Sequence, residues 1–123
     1  MKDHAKGFLS LVKSALKEVP EVDVYQTKER LEKRDRINLI DVREDNEWNL
    51  GRIPTAIHLG KGIIERDIEA VVEDKSTELI LYCQGGFRSA LAAKSLNKMG
   101  YQNVFSMSGG FSAWVGNEFP ISQ

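Results

Sequence analysis

The chain has 123 residues, with 17 Lys+Arg against 18 Asp+Glu for a net charge of -1, and it holds one cysteine and two histidines. That length suits a single domain able to bury its own core. Balanced charge offers no footprint for nucleic acid or a membrane surface, and the lone Cys83 excludes an internal disulfide framework and any multi-cysteine metal site.

Phe8, Val12, Ala15, Leu16 and Val19 recur at helical spacing, with Lys13, Ser14, Lys17 and Glu18 on other faces. They predict an amphipathic helix within residues 1–19, stopped near Pro20 and followed by a main domain over residues 20–123. Lys13 interrupts the apolar stretch Gly7–Val12 and no small-residue cleavage site follows, so the segment does not read as a signal peptide. No apolar run approaches the roughly 20 residues of a membrane span. A lone thiol fits a reducing compartment, and a cytoplasmic location is expected.

Glu21–Tyr25 alternates as a short strand, and Thr27 is placed to cap a helix through about Arg34 with Leu31 inward. Ile37–Val42 predicts a buried strand, Glu44–Leu50 a helical turn closed by Gly51, and Ala56–Leu59 a short strand after the Pro54 turn. Ile64–Val72 predicts a helix whose apolar face is Ile64, Ile68, Val71 and Val72. Glu78–Tyr82 is the central strand. A helix then runs to about Met99 with Gly100 just past its end, followed by strand Asn103–Met107, a Gly109-Gly110 turn and a short helix Phe111–Val115. Strands alternating with helices imply an α/β domain, with a mostly parallel sheet of about five strands covered on both faces.

Cys83-Gln84-Gly85-Gly86-Phe87-Arg88-Ser89 joins the central strand to the alanine-rich helix that follows it. In a parallel sheet, sites open at the carboxyl ends of the strands, which is where this thiol falls. Backbone N–H groups from Gln84 to Ser89 and the start of the helix form an expected cradle for a thiolate and for an anionic substrate. Gly85 and Gly86 allow the loop to curl inward. Arg88 either holds the loop or pairs with the anionic end of a substrate. Asp41, Arg43 and Glu47 read as ion pairs bracing the loop, and Trp48 and Trp114 as packing anchors. His58 reads as a structural hydrogen-bonder and His4 as solvent-exposed, while Phe87 either narrows the pocket above the thiol or packs beneath the loop. Gly109-Gly110 is a turn and not a phosphate loop, because no Lys-Ser/Thr pair follows. The mixed-sign cluster from Lys28 to Arg36 is a solvated helix face.

Four segments together resemble the rhodanese-like domain family. Asp41-Val42-Arg43-Glu44 with Glu47-Trp48 resembles its "DVRE…EW" segment, and Gly51–Leu59 its "GHIPGAIHL" turn and strand. The loop from Cys83 to Arg88 is similar to its pattern of Cys, four residues, then Arg, and Ser106–Trp114 to its "LxGGxxAW" ending. Arg52, Thr55 and Gln84 depart from the residues most common there, and Gln84 replaces a frequent cation at the mouth. The resemblance implies a sulfurtransferase that needs no cofactor. Cys83 attacks a sulfur donor, thiosulfate or a persulfide, and the resulting persulfide passes to a thiol or to cyanide. With no second cysteine to resolve it, the acceptor comes from outside, as a small molecule or a partner protein. Alternatives are a persulfide relay module acting with a partner, and a cysteine-dependent phosphatase or arsenate reductase. The phosphatases that resemble this fold carry one more residue between Cys and Arg.

Overall fold

The computed structural model describes residues 4–33 and 37–123. In chain order these form α1 (Lys6–Leu16), β1 (Glu21–Val22), α2 (Val24–Glu32), β2 (Ile37–Asp41), α3 (Asp45–Leu50), β3 (Ile57–His58), α4 (Ile64–Val71), β4 (Glu78–Tyr82), α5 (Phe87–Lys98), β5 (Asn103–Met107) and α6 (Gly110–Gly116). The strands make one five-stranded sheet in the order β1-β5-β4-β2-β3, and every neighbouring pair is parallel. Apolar layers on both faces bury its central strands, as a parallel sheet requires.

Alternation along β4 divides the interior into those layers. Leu79 and Leu81, with Cys83 just beyond the strand, face Ile64 and Ile68 of α4 and Ala92, Ala93 and Leu96 of α5. Ile80 and Tyr82 face the opposite way, toward Val24 of α2 and Trp114 of α6. Ala90, Ala92 and Ala93 are fully buried, so α5 lies close against the sheet. The α1 helix packs on α5 through a buried face of Val12 and Ala15, with Val19 buried just after the helix ends. Among the described residues, no helix is long and apolar enough to cross a membrane.

Several expected boundaries move, each for a local reason. The strand expected over Glu21–Tyr25 stops at Val22, because Asp23 and not Thr27 caps α2. Asp23 Oδ1 accepts from the Gln26 amide and Gln26 Oε1 accepts from the Asp23 amide, both at 2.8 Å, a reciprocal capping box. Thr27 is buried inside the helix, and its hydroxyl donates to the Asp23 carbonyl at 2.9 Å. The described part of α2 ends at Glu32, and the expectation for Arg34 and the far end of the charge cluster at Arg36 lie outside the described residues. Val71 is half in solvent, at 46% exposure, so α4 buries Ile64 and Ile68, and Val72 is buried just past its end. The remaining strands and α5 fall close to their expected limits, with Gly100 left-handed at φ 102° past the end of α5.

Asp23→Ala should remove the α2 cap and lower stability by about 1 kcal/mol, while Asp23→Asn keeps most of it. Urea unfolding of the two variants checks this, and equal midpoints would refute the capping assignment.

Candidate active site

Cys83 is the first residue past β4, where the parallel ladder still holds the chain: the Val42 amide donates to the Tyr82 carbonyl at 2.9 Å. The loop then reverses through Gly86, whose φ of 99° is a left-handed value natural to glycine. That curl aims the Gly86 amide at Cys83 Sγ, at 3.1 Å. The Ser89 amide, third in α5 and so without a helical partner, points at the same sulfur from 3.4 Å. The Ser89 hydroxyl lies 3.5 Å from it. Of the expected row of amides from Gln84 to Ser89, these two reach the thiol. Both favour negative charge on sulfur, as does the amino-terminal end of the α5 dipole. Cys83 is only 1% exposed, whereas Gln84 and Gly85 beside it are open to solvent.

The outer side of the loop is held by α6. Its first-turn amides, at Phe111 and Ser112, donate to the carbonyls of Cys83 and Gln84 at 2.8 and 3.0 Å. This approach depends on Gly110, which sits at φ 58°, where a Cβ would lie 2.5 Å from both carbonyl oxygens. Sequence reasoning reads Gly109-Gly110 as a turn, and the structure adds that Gly110 is the surface on which the loop rests. The available signal was a glycine pair directly before a helix, where no side chain keeps two backbones apart.

Three charged residues brace the loop from α3 and β2. Arg43 is buried with Asp41: its Nη2 donates to Asp41 Oδ2 at 2.8 Å and to the Gly51 carbonyl at 2.6 Å. Its Nη1 reaches Gln84 Oε1 at 3.5 Å, and the guanidinium lies 4.2 Å from the Phe111 ring centre. Burial opposes the Arg43 charge, but the hydrogen bonds and field of Asp41 outweigh it and hold the guanidinium above its ordinary value. Burial, then the charge of Asp41, pushes the nearby Tyr82 phenol well up, so it stays neutral and accepts from the Ile53 amide at 3.1 Å. Gln84 is tied at its other end, where Nε2 donates to Ser112 Oγ at 2.9 Å.

Glu47 pairs with Arg88 in a two-pronged contact of 2.7 and 2.9 Å, joining α3 to the start of α5. Both guanidinium Nη atoms of Arg88 are engaged by the Glu47 carboxylate. Arg88 holds the Glu47 carboxyl below its ordinary value, and Glu47 in turn raises Arg88. Phe87 turns aside onto α1, with its ring 5.1 Å from His4 and 6.2 Å from Phe8. His58 Nε2 shares a 2.8 Å hydrogen bond with the Arg43 carbonyl, and its ring stacks on Trp48 at 4.7 Å. Trp114 is buried and donates to the Pro120 carbonyl at 2.7 Å. Ser106 of β5, which the sequence places in a strand but not at the site, is buried with its hydroxyl 2.8 Å from that of Ser89. The trace it left was a small polar residue between the apolar Phe105 and Met107.

A parallel sheet whose central strand ends in a thiol, with the next helix turning its first amides onto that sulfur, defines an α/β domain built around a cysteine loop. The chain belongs to the rhodanese-like domain family, which it matches over residues 23–117. YtwF of Bacillus subtilis (strain 168), provisionally named a sulfurtransferase, is 37% identical over 84% of this chain and 97% of its own length. The protein named thiosulfate sulfurtransferase GlpE in Pseudoalteromonas translucida is 32% identical over 76% of this chain and 86% of its own. Among solved structures, RPA3614 of Rhodopseudomonas palustris has a TM-score of 0.89 at 25% identity over 99% of each chain. It is described as a protein of unknown function and a possible tyrosine phosphatase. The chain is therefore one of a family of sulfurtransferases.

Gly110→Ala should lower stability by about 2 kcal/mol or more, since alanine meets both a left-handed backbone and two carbonyl oxygens. An unchanged thermal midpoint would show that α6 does not press on the loop. Because Glu47 is held low, its pairing supports the fold fully above the ordinary glutamate range and fades as pH falls through the lowered value. Glu47→Gln should flatten the acid limb of the stability profile and cost about 1 kcal/mol at neutral pH. Urea titrations across pH check both.

Proposed function

We propose that the protein moves sulfane sulfur from thiosulfate or a persulfide donor to a thiol or cyanide acceptor through a persulfide on Cys83. The observation that carries this is the pair of loop amides donating to a lone cysteine sulfur, at 3.1 and 3.4 Å. In the first step the Cys83 thiolate attacks the outer sulfur of thiosulfate. The S–S bond of the donor breaks and sulfite leaves with its electron pair. In the second, the acceptor attacks the terminal sulfur and the Cys83 thiolate departs, ready for another cycle. No oxidant or cofactor enters the balance, and ping-pong kinetics follow. Gln84, Gly85, Gly86, Phe87, Arg88 and Ser89 form the substrate loop, and Asp41, Arg43 and Glu47 support it. Residues 20–123 are the transfer domain in this reading and residues 1–19 an accessory. A reducing cytoplasm keeps the unpaired thiol active.

A persulfide relay acting with a partner protein is the second reading. It is favoured by Gln84, a neutral side chain tied between Arg43 and Ser112, which brings no cation to the mouth. Phosphatase chemistry is disfavoured by the four residues between Cys83 and Arg88.

Incubation with thiosulfate should add the mass of one sulfur atom to Cys83, and further addition of cyanide should release thiocyanate. Cys83→Ala should abolish both. Sulfur loading from a persulfide donor but not from thiosulfate selects the relay. Cys83-dependent hydrolysis of an aryl phosphate, without sulfur loading, overturns the sulfur assignment.

A further inference from the structure

A polar chain runs beneath the sulfur, and the transfer steps above leave it unused. Ser89 Oγ lies 3.5 Å from Cys83 Sγ and 2.8 Å from Ser106 Oγ, and Ser106 Oγ lies 3.4 Å from the Gly86 carbonyl oxygen. Both serines are 0% exposed. Ser106 sits on β5 in register with Leu81, and its amide donates to the Pro20 carbonyl at 3.1 Å, so its backbone is fixed from both sides. A core hydroxyl is costly unless bonded, and alanine would fill either position with less penalty. A simple latch between α5 and β5 would account for two bonded hydroxyls. It gives no reason for the chain to begin at the reactive sulfur and end on that sulfur's own loop.

We infer that Ser106 is a positioning residue for the Cys83 sulfur, acting through Ser89 as a reversible hydroxyl relay. The inference rests on the proposed role of Cys83. Either serine oxygen of the central pair can be the donor, so the chain has two orientations. With the sulfur protonated, S–H donates to Ser89, Ser89 to Ser106, and Ser106 to the Gly86 carbonyl. With the sulfur ionised, both hydroxyls turn: Ser106 donates to Ser89 and Ser89 to sulfur. The serines keep their protons, and the thiol's own proton goes to solvent. What is given up is the long 3.4 Å contact to Gly86, a weak hydrogen bond. What is gained is a donor on a charged sulfur, strengthened because Ser106 polarises the hydroxyl that makes it. The same thiolate attacks the donor and leaves in the second step, so the relay favours both halves of the cycle. Arg88, whose guanidinium is held by Glu47, makes no contact with Ser106.

The test is the pH profile of Cys83 alkylation by iodoacetamide, followed by mass spectrometry, with thermal unfolding alongside. Ser106→Ala should stay folded, react about tenfold more slowly near neutrality and shift its profile to higher pH. Ser106→Thr, which keeps the hydroxyl, should follow the unsubstituted protein. In a Ser89→Ala background, adding Ser106→Ala should move nothing further, since the relay is already cut. A Ser106→Ala profile superimposed on the native one overturns the proposal, as does an equal shift in the threonine variant or an additional shift in the double variant. Alkylation needs no sulfur donor. If the native protein takes no sulfur from thiosulfate or a persulfide, the transfer reading falls by itself, and these profiles still decide the relay.

Discussion

Arg43 carries a full positive charge into a place where it is 2% exposed, and the layout of the site follows from the need to keep that charge satisfied. Its partner Asp41 is wholly buried at the end of β2, so neither ion has water to fall back on. Removing one member of such a pair strands the other and costs about 3–5 kcal/mol. The guanidinium's remaining acceptors lie on separate pieces of chain: the Gly51 carbonyl after α3 and the Gln84 side chain in the cysteine loop, with the Phe111 ring of α6 alongside. A planar, five-donor group can address several directions at once, which lysine cannot. Three segments distant in sequence are thereby referred to one rigid centre.

The cysteine loop is gripped on both its surfaces, and the two grips use opposite ends of the peptide unit. Inward-pointing amides of Gly86 and Ser89 meet the sulfur, while outward carbonyls of Cys83 and Gln84 meet the amides of α6. Each surface thus takes the polarity it can use, and the loop has little freedom to rotate its peptides. Glu47 adds a lateral tie through Arg88. Stabilising a charge that appears and disappears during a reaction depends on donors already oriented toward it, with no reorganisation left to pay for.

Periodicity made most of the architecture readable. The apolar run Leu79–Tyr82 and the alanine run after the loop marked the central strand, its helix and the position of Cys83 between them. The strand at Glu21 was read too long because Asp23 looks like one more alternating polar residue, and only its pairing with Gln26 reveals a cap. At the site, the residue types of the loop and the presence of bracing charges were legible, but not who pairs with whom. Arg88 had two chemically sound roles, and its distance from Glu47, 41 positions earlier in the chain, is set by tertiary packing alone. Ser106 was invisible for the same reason: nothing local distinguishes a serine beneath a sulfur from one facing solvent. Gly110 lay between these cases, visible as a glycine but silent about the backbone it would meet.

The bond between α6 and the loop also bears on how such domains diversify. Cys83 and Gln84 present their carbonyls at a spacing that two successive α6 amides match. The first turn of α6 thus fixes where the cysteine loop begins, and any change in the loop's length is left to the residues between Gln84 and Arg88.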